Sequence, residues 1–275
     1  MASSSAPPLP DYDLPPVIEV VCGLQFAALE GFQATAFGLL WQRFKADYPT
    51  CEQQPPLAQV IERLGEPVAE EPRVELSSVP PLLRMFFINQ APCWLVQVQN
   101  DRFLHNWRKQ QETDVYPHFP EVYKRFWAAW QRFLEFCRDE KIETPRINQL
   151  EMTYINHIVQ GEGWDGTETL GGVFPDFAWR TQRSFLPAPE SVAWKSSFAL
   201  PNSFGRLHVS VRHAVRRKDM KPVLLAELTA RGVPSNLDEN ALRDWFHLGR
   251  EWIVRGFADL SDEKIQREVW KRKTV

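Results

Sequence analysis

The sequence predicts an α+β fold: a ferredoxin-like βαββαβ N-terminal half, then an antiparallel β-meander and a long C-terminal helix. Two kinds of segment carry this prediction. Segments that alternate apolar and polar residues are typical of half-buried strands, and two segments with apolar residues every three or four positions are typical of helices. Over residues 17–159 their order is β-α-β-β-α-β, that of a split βαβ unit. Apolar residues form 44% of the 275-residue chain and charged residues 24%, as in globular proteins.

The first half begins after a Ser- and Pro-rich lead-in, residues 1–16, which is predicted to be flexible. Val17–Phe26 is rich in β-branched residues and predicts the first strand. An apolar stripe predicts a helix over residues 31–47. The acidic, proline-broken region that follows contains Leu57–Leu64, which has the pattern of a short helix. The remaining elements of this half are strands 82–88 and 93–99, a helix over 120–137 and a strand over 147–159.

The second half, residues 191–275, follows a Gly- and Pro-rich connector over residues 160–190. Ser261 is placed to cap a last short helix that ends near Lys271. No internal sequence repeat is found, and the two halves can share one extended sheet, which would make the chain one compact domain. The other predicted elements are strands 192–200, 206–215 and 223–230, and a helix over 240–257.

Residue parity along the strands predicts one apolar and one polar face of the sheet. Val20, Val96 and Met152 share the parity that can meet the two helical stripes of the first half. We therefore expect both helices on that face, with the other face open, as in many antiparallel sheets. The polar parity carries Glu19, Gln25, Gln97, Gln99, Glu151, Thr153 and His157.

Several segments resemble a sporadically distributed bacterial protein family of unknown function. They are LPPVIEV at residues 14–20, Asn106-Trp107, the helix with Tyr123, Phe126, Trp130 and Phe133, and LEMTYINH at residues 150–157. The resemblance covers nearly the whole chain. It implies a bacterial, cytosolic protein, and it brings no catalytic motif with it.

Composition excludes several classes of protein. The formal net charge of −3 does not indicate a polynucleotide or an anionic membrane as the partner. The four cysteines form no CxxC pair, which favours reduced thiols in a cytoplasm. Neither a secretory signal nor a membrane-length apolar run is found, so we expect a cytoplasmic protein. The six histidines have no metal-ligand spacing, and we expect no metal and no cofactor.

Three functional hypotheses stay open. We favour a non-catalytic binding or assembly protein that holds a protein partner, because GxSxG, P-loop and kinase-type motifs are missing. Candidate residues for partner binding are Glu19, Gln97, Gln99, Thr153 and Trp107. The first alternative is a metal-independent enzyme in which Glu151 orients His157 as a general base.

The second alternative is a nucleic-acid binder that uses the basic hairpin, residues 206–221. Its candidate phosphate-binding residues are Arg212, Arg216, Arg217 and Lys218. We rank this hypothesis below protein binding because a charged hairpin tip more often protects a sheet edge, and because the polar face lacks the aromatic residues of RNA-binding sheets.

Overall fold

The computed structural model describes residues 7–65, 84–177 and 184–274. These residues form one nine-stranded antiparallel sheet with the order β2-β3-β4-β5-β1-β6-β9-β8-β7. The strands are β1 (Val17–Phe26), β2 (Thr50–Gln54), β3 (Arg84–Ile88), β4 (Trp94–Gln99), β5 (Arg102–Arg108), β6 (Ile147–Val159), β7 (Ala193–Ala199), β8 (Arg206–Arg216) and β9 (Lys221–Gly232). The α-helices are α1 (Ala34–Phe44), α2 (His118–Asp139), α3 (Glu239–Leu260) and α4 (Glu263–Glu268).

The predicted α+β class is confirmed, but the first half contains more strands than the sequence predicts. β1 and β6 have the predicted bounds, whereas β2 and β5 are not in the prediction. β5 lies between β1 and β4, so the predicted strand 93–99 does not pair with β1. The sheet has nine strands, where a single βαββαβ unit has four. Residues 82 and 83 of one predicted strand lie outside the described residues.

The sheet repeats one arrangement of elements on either side of the central β1–β6 pair. On one side β1 is followed along the chain by β3, β4 and β5 and then by α2, with α1 and β2 inserted between β1 and β3. On the other side β6 is followed by β7, β8 and β9 and then by α3, and both helices have 22 residues. The two halves thus share a topology that no sequence repeat indicates. Because β1 pairs with β6, both halves also share one continuous polar face.

Helices α1 and α2 pack on the same face of the sheet, as predicted. In α1, the ring of Phe44 lies 5.8 Å from that of Phe87 on β3. In α2, the ring of Phe133 lies 5.2 Å from that of Phe103 on β5. Burial of such rings stabilises the fold by about 1.5–3 kcal/mol each. Val20, Val96 and Met152 belong to the same core.

Helix α3 covers the second half of the same face. Gly249 allows close approach, since a Cβ at this position would lie 3.3 Å from the Cβ of Ala230 on β9 and 3.9 Å from that of Met152 on β6. The ring of Phe246 lies 5.1 Å from that of Phe126, which joins α3 to α2. Helices α1, α2 and α3 thus cover the apolar face. None of the described helices is long and apolar enough to cross a membrane.

Part of the predicted flexible lead-in is held against the C-terminal residues. The Tyr12 side chain is buried, and its hydroxyl donates to Oε1 of Gln266 at 3.0 Å. The backbone N–H of Asp13 donates to the carbonyl of Lys271 at 3.1 Å. Residues 11–14 thus pack against the C-terminal residues, while residues 1–6 lie outside the described residues.

The connector 160–190 contributes Trp164 and Phe174 to the core, and residues 178–183 of it lie outside the described residues. The expected cap of the last helix is wrong. The cap of α4 is Asp262 rather than Ser261, because Oδ1 of Asp262 accepts from the N–H of Lys264 at 2.8 Å. A carboxylate there also suits the positive end of the helix dipole.

Candidate functional site

The polar face carries a row of four side chains that crosses four neighbouring strands. Gln99 pairs in register with Arg102, Arg102 with Gln25, and Gln25 with Gln149. Their exposed fractions are only 5%, 5%, 0% and 1%, respectively. Buried polar groups of this kind need hydrogen-bond partners, because an unpaired group costs about 1–3 kcal/mol. We call these three glutamines and the arginine between them the amide row.

Two glutamines of the amide row bind the backbone of an extended segment of the chain. Gln99 accepts from the N–H of Leu57 and donates to its carbonyl, both at 2.9 Å. Gln149 accepts from the N–H of Glu62 at 2.6 Å and donates to the carbonyl of Val60. Each side-chain amide thus uses both its donor and its acceptor on backbone groups, as a neighbouring strand would.

The other two members of the row contact the backbone between these points. Nη2 of Arg102 donates to the carbonyl of Ala58 at 3.0 Å, and Oε1 of Gln25 accepts from the N–H of Val60 at 3.4 Å. We call residues 57–62 the bound segment. The segment has no helical structure, so the short helix expected over Leu57–Leu64 is wrong.

The apolar side chains in the middle of the bound segment contribute little to its attachment. Val60 and Ile61 are 46% and 43% exposed, and Ala58 is exposed as well. The row therefore contacts mainly the backbone, which any residue other than proline can present. A segment with few buried apolar contacts opens at a lower free energy than the core does.

The bound segment ends at a carboxylate that is anchored on β8. Glu62 lies with Oε1 at 3.0 Å from Nε2 of His208 and with Oε2 at 3.4 Å from Nη1 of Arg206. Burial raises the pKa of Glu62, but the hydrogen bond and charge of His208 and the charges of Arg206 and Arg231 outweigh it and leave the pKa below its ordinary value. The carboxylate is therefore held in its charged form.

His208 also contacts a hydroxyl, which produces a line of three hydrogen-bonded groups. Oγ of Ser197 lies 2.9 Å from Nδ1 of His208, while Nε2 faces Glu62. Hydroxyl, imidazole and carboxylate are also the groups of nucleophilic triads, in which Nε2 faces the hydroxyl and Nδ1 the carboxylate. Here the two ring nitrogens have exchanged roles. We therefore interpret this line as the anchor of the bound segment.

Glu151 lies in the next row of the polar face and supports the amide row. It is 8% exposed and accepts from Nε2 of Gln25 at 2.8 Å. Nε of Arg231 lies 3.7 Å and Nη1 of Arg102 3.9 Å from its carboxylate. This carboxylate orients two members of the row and balances the charges of the buried Arg102 and the half-buried Arg231.

The structure does not bring together Glu151 and His157, the predicted general-base pair. They lie six residues apart on β6, which corresponds to about 20 Å along a strand. His157 follows the end of the β1 pairing, where its N–H donates to the carbonyl of Pro16 at 3.0 Å. Burial, together with the charge of Arg216, lowers the pKa of His157. Glu151 therefore has a structural role. Its carboxylate is too far from His157 to orient the imidazole.

Four of the predicted partner-binding residues lie on the polar face. Gln99 belongs to the amide row, whereas Gln97 donates to Oδ1 of Asn106 at 2.8 Å. Asn106 in turn donates to Oε1 of Glu19 at 2.5 Å, and burial raises the pKa of Glu19. The hydroxyl of Thr153 lies 2.8 Å from that of Thr229 on β9.

Trp107, the fifth predicted partner-binding residue, does not lie on the polar face. It lies on β5 opposite Val20, so that its side chain belongs to the apolar face. The residue is 2% exposed, and its ring lies 5.4 Å from that of Tyr116. A side chain enclosed by the core cannot contact a partner, so the expectation for Trp107 is wrong.

The basic hairpin is partly neutralised by acidic residues. Nε and Nη2 of Arg216 donate to the two carboxylate oxygens of Asp219 at 2.9 and 2.6 Å. Nζ of Lys218 donates to Oε1 of Glu112 at 3.3 Å. The two other candidate phosphate-binding residues, both exposed, are Arg212 and Arg217.

Much of this site lies outside the residues that the sequence singles out. Arg102 lies on an unpredicted strand, and Glu62 lies in the region expected to be helical. The sequence could have indicated Gln149, because this residue shares the polar parity of Glu151 on a correctly predicted strand. Among the described residues, no group of three or more His, Cys, Asp or Glu side chains is arranged to hold a metal ion.

The chain was compared with models of protein families, with curated proteins and with solved structures, and none of them matches it. The resemblance of its LPPVIEV and LEMTYINH segments to a sporadically distributed bacterial family therefore stays a prediction.

Proposed function

We propose that the protein is a non-catalytic binding protein of a bacterial cytoplasm that holds a protein partner by an extended segment lying on the amide row. One observation carries this proposal: the row makes two-sided hydrogen bonds to the backbone of residues 57–62. Backbone hydrogen bonds are the common source of affinity where proteins bind extended peptides. The bound segment would then occupy, within the chain, the place of a partner's segment.

Two properties of the bound segment favour exchange with a partner. Its apolar side chains Val60 and Ile61 are exposed, so that little apolar surface holds it in place. The row beneath is rigid by comparison, since its members lie on four paired strands and Gln25 is fixed by Glu151. A preformed surface loses less conformational entropy when it binds a ligand.

The proposal can be tested with an array of ten-residue peptides of varied sequence and the full chain. We expect the wild-type chain to bind a subset of extended peptides. The double variant Gln99→Leu/Gln149→Leu should bind all of them at least tenfold more weakly, because each lost hydrogen bond is worth about 0.5–1.5 kcal/mol. Gln111→Leu, an exposed glutamine outside the row, is the matched control and should change nothing.

Absence of peptide binding by the wild-type chain would contradict the proposal. Binding that the double variant retains unchanged would contradict it as well, because the partner would then contact another surface. Circular dichroism of the two variants would show whether both fold.

A further inference from the structure

The bound segment leaves the amide row beside three basic side chains of β8 and β9, which are Arg206, His208 and Arg231. Gln149 accepts from the N–H of Glu62, and the side chain of this same residue then turns to β8. The backbone of Glu62 is thus bound by the amide row while its side chain is bound by β8. A ligand on the row would therefore have a set register, with one particular side chain directed at β8.

The surroundings of that side chain suit a carboxylate. Nη1 of Arg206 and Nε2 of His208 both contact the Glu62 carboxylate, whose side chain is only 9% exposed, although the neighbouring Ile61 and Arg63 are exposed. Arg231 on β9 lies close enough for its charge to act on the same group. Glu62 is the enclosed side chain among exposed neighbours, which is how an anchor residue differs from the rest of a ligand.

The orientation of the imidazole supports the same conclusion. Oγ of Ser197 lies 2.9 Å from Nδ1 of His208. When this hydroxyl donates to Nδ1, the ring proton is on Nε2 and points at the carboxylate. A neutral amide at the position of Glu62 could accept a hydrogen bond from His208, but it would place no negative charge beside Arg206 and Arg231.

We infer that Arg206, His208 and Arg231 form a carboxylate subsite, and that the ligand of the protein is an extended peptide with an acidic side chain at the position now taken by Glu62. This inference rests on the proposed function. Glu62 then acts as an internal competitor, since a tethered segment has an effective concentration of about millimolar. Loss of its charge should weaken the internal segment and favour an external peptide.

The test uses two fluorescein-labelled peptides with the sequence of residues 55–64, one with Glu and one with Gln at the position of Glu62. Both are titrated against the full chain carrying Glu62→Gln, and fluorescence polarisation reports binding. We expect the Glu peptide to bind about tenfold more tightly than the Gln peptide, because charge-assisted hydrogen bonds are about twice as strong as neutral ones. The Glu peptide should also bind this variant several times more tightly than the wild-type chain.

Substitutions in the subsite then locate the preference. With Arg206→Gln added, the affinity of the Glu peptide should fall to that of the Gln peptide. Should this variant not fold, as judged by circular dichroism, His208→Gln replaces it with the same expectation. Arg212→Gln, at an exposed arginine on the same strand, is the matched control and should leave the tenfold preference in place.

The failures of the two proposals are distinguishable. Equal affinity for both peptides would overturn the carboxylate subsite and leave peptide binding by the amide row standing. No binding of either peptide at millimolar concentration would overturn the proposed function, and the subsite with it.

Discussion

His105 should make the stability of the fold depend on pH. This residue lies on β5 beneath the helices, is fully buried, and has Nε2 at 3.0 Å from the hydroxyl of Tyr48. Burial, with a smaller contribution from the charge of Arg125, lowers its pKa from 6.5 to about 3. The folded protein therefore keeps His105 neutral under conditions where the unfolded chain would protonate it.

The magnitude follows from proton linkage. Between pH 6.5 and pH 3 the unfolded state binds one more proton than the folded state, so the free energy of unfolding falls as the pH falls. The stabilisation is complete above pH 6.5 and decreases by about 1.4 kcal/mol per pH unit inside this window. From pH 7 to pH 5, His105 alone should lower the free energy of unfolding by about 2 kcal/mol.

Urea denaturation at pH 7 and pH 5 measures this effect. His105→Gln removes the titrating group, so the variant should lose about 2 kcal/mol less than the wild-type chain between the two pH values. Comparing each protein with itself cancels any packing defect that the substitution causes. His247→Gln, at an exposed histidine of α3, is the control and should retain most of the pH dependence. An unchanged pH dependence in His105→Gln would refute the reasoning.

Four further predictions concern stability and nucleic acid. Glu151→Ala should lower the free energy of unfolding in urea by about 2–3 kcal/mol, because the buried Arg102 and the half-buried Arg231 lose their carboxylate, whereas Glu135→Ala, at an exposed glutamate of α2, should cost under about 0.5 kcal/mol. Gly205→Ala should cost about 3 kcal/mol, because its φ is +140° and a Cβ would lie 2.1 Å from a carbonyl oxygen of β9. Gly38→Ala, where a Cβ meets nothing within 4 Å on α1, should stabilise by about 0.5–1 kcal/mol. Labelled DNA should not bind at 50 mM salt; micromolar binding that falls by about two decades at 200 mM, and that Glu substitutions at residues 216–218 abolish, would contradict this.

Local sequence was sufficient to predict the bounds of those strands and helices whose two faces differ in polarity. β1 and β6 alternate between a core face and a polar face, and their predicted bounds are correct. The apolar stripe of α2 likewise predicts the helix to within two residues at each end. In these elements the burial pattern repeats with the period of the backbone, so that neighbouring residues alone reveal it.

The two unpredicted strands lack that signal. Six of the seven residues of β5 are buried, and polar side chains such as His105 and Asn106 interrupt its apolar run. β2 lies at one edge of the sheet and is mostly exposed, so its sequence TCEQQ shows no alternation. Both segments are strands because their neighbours pair with them, which is a property of tertiary structure.

For the site, the sequence determined the chemistry and the tertiary structure determined the arrangement. The parity of β1, β4 and β6 places Gln25, Gln99 and Gln149 on one face. Their alignment into a row depends on the pairing register of four strands, because a shift by one residue would turn a strand's side chains to the other face. The attachment of Glu62 to His208 joins residues 146 positions apart. Such contacts form when the whole chain folds, and no local pattern in the sequence records them.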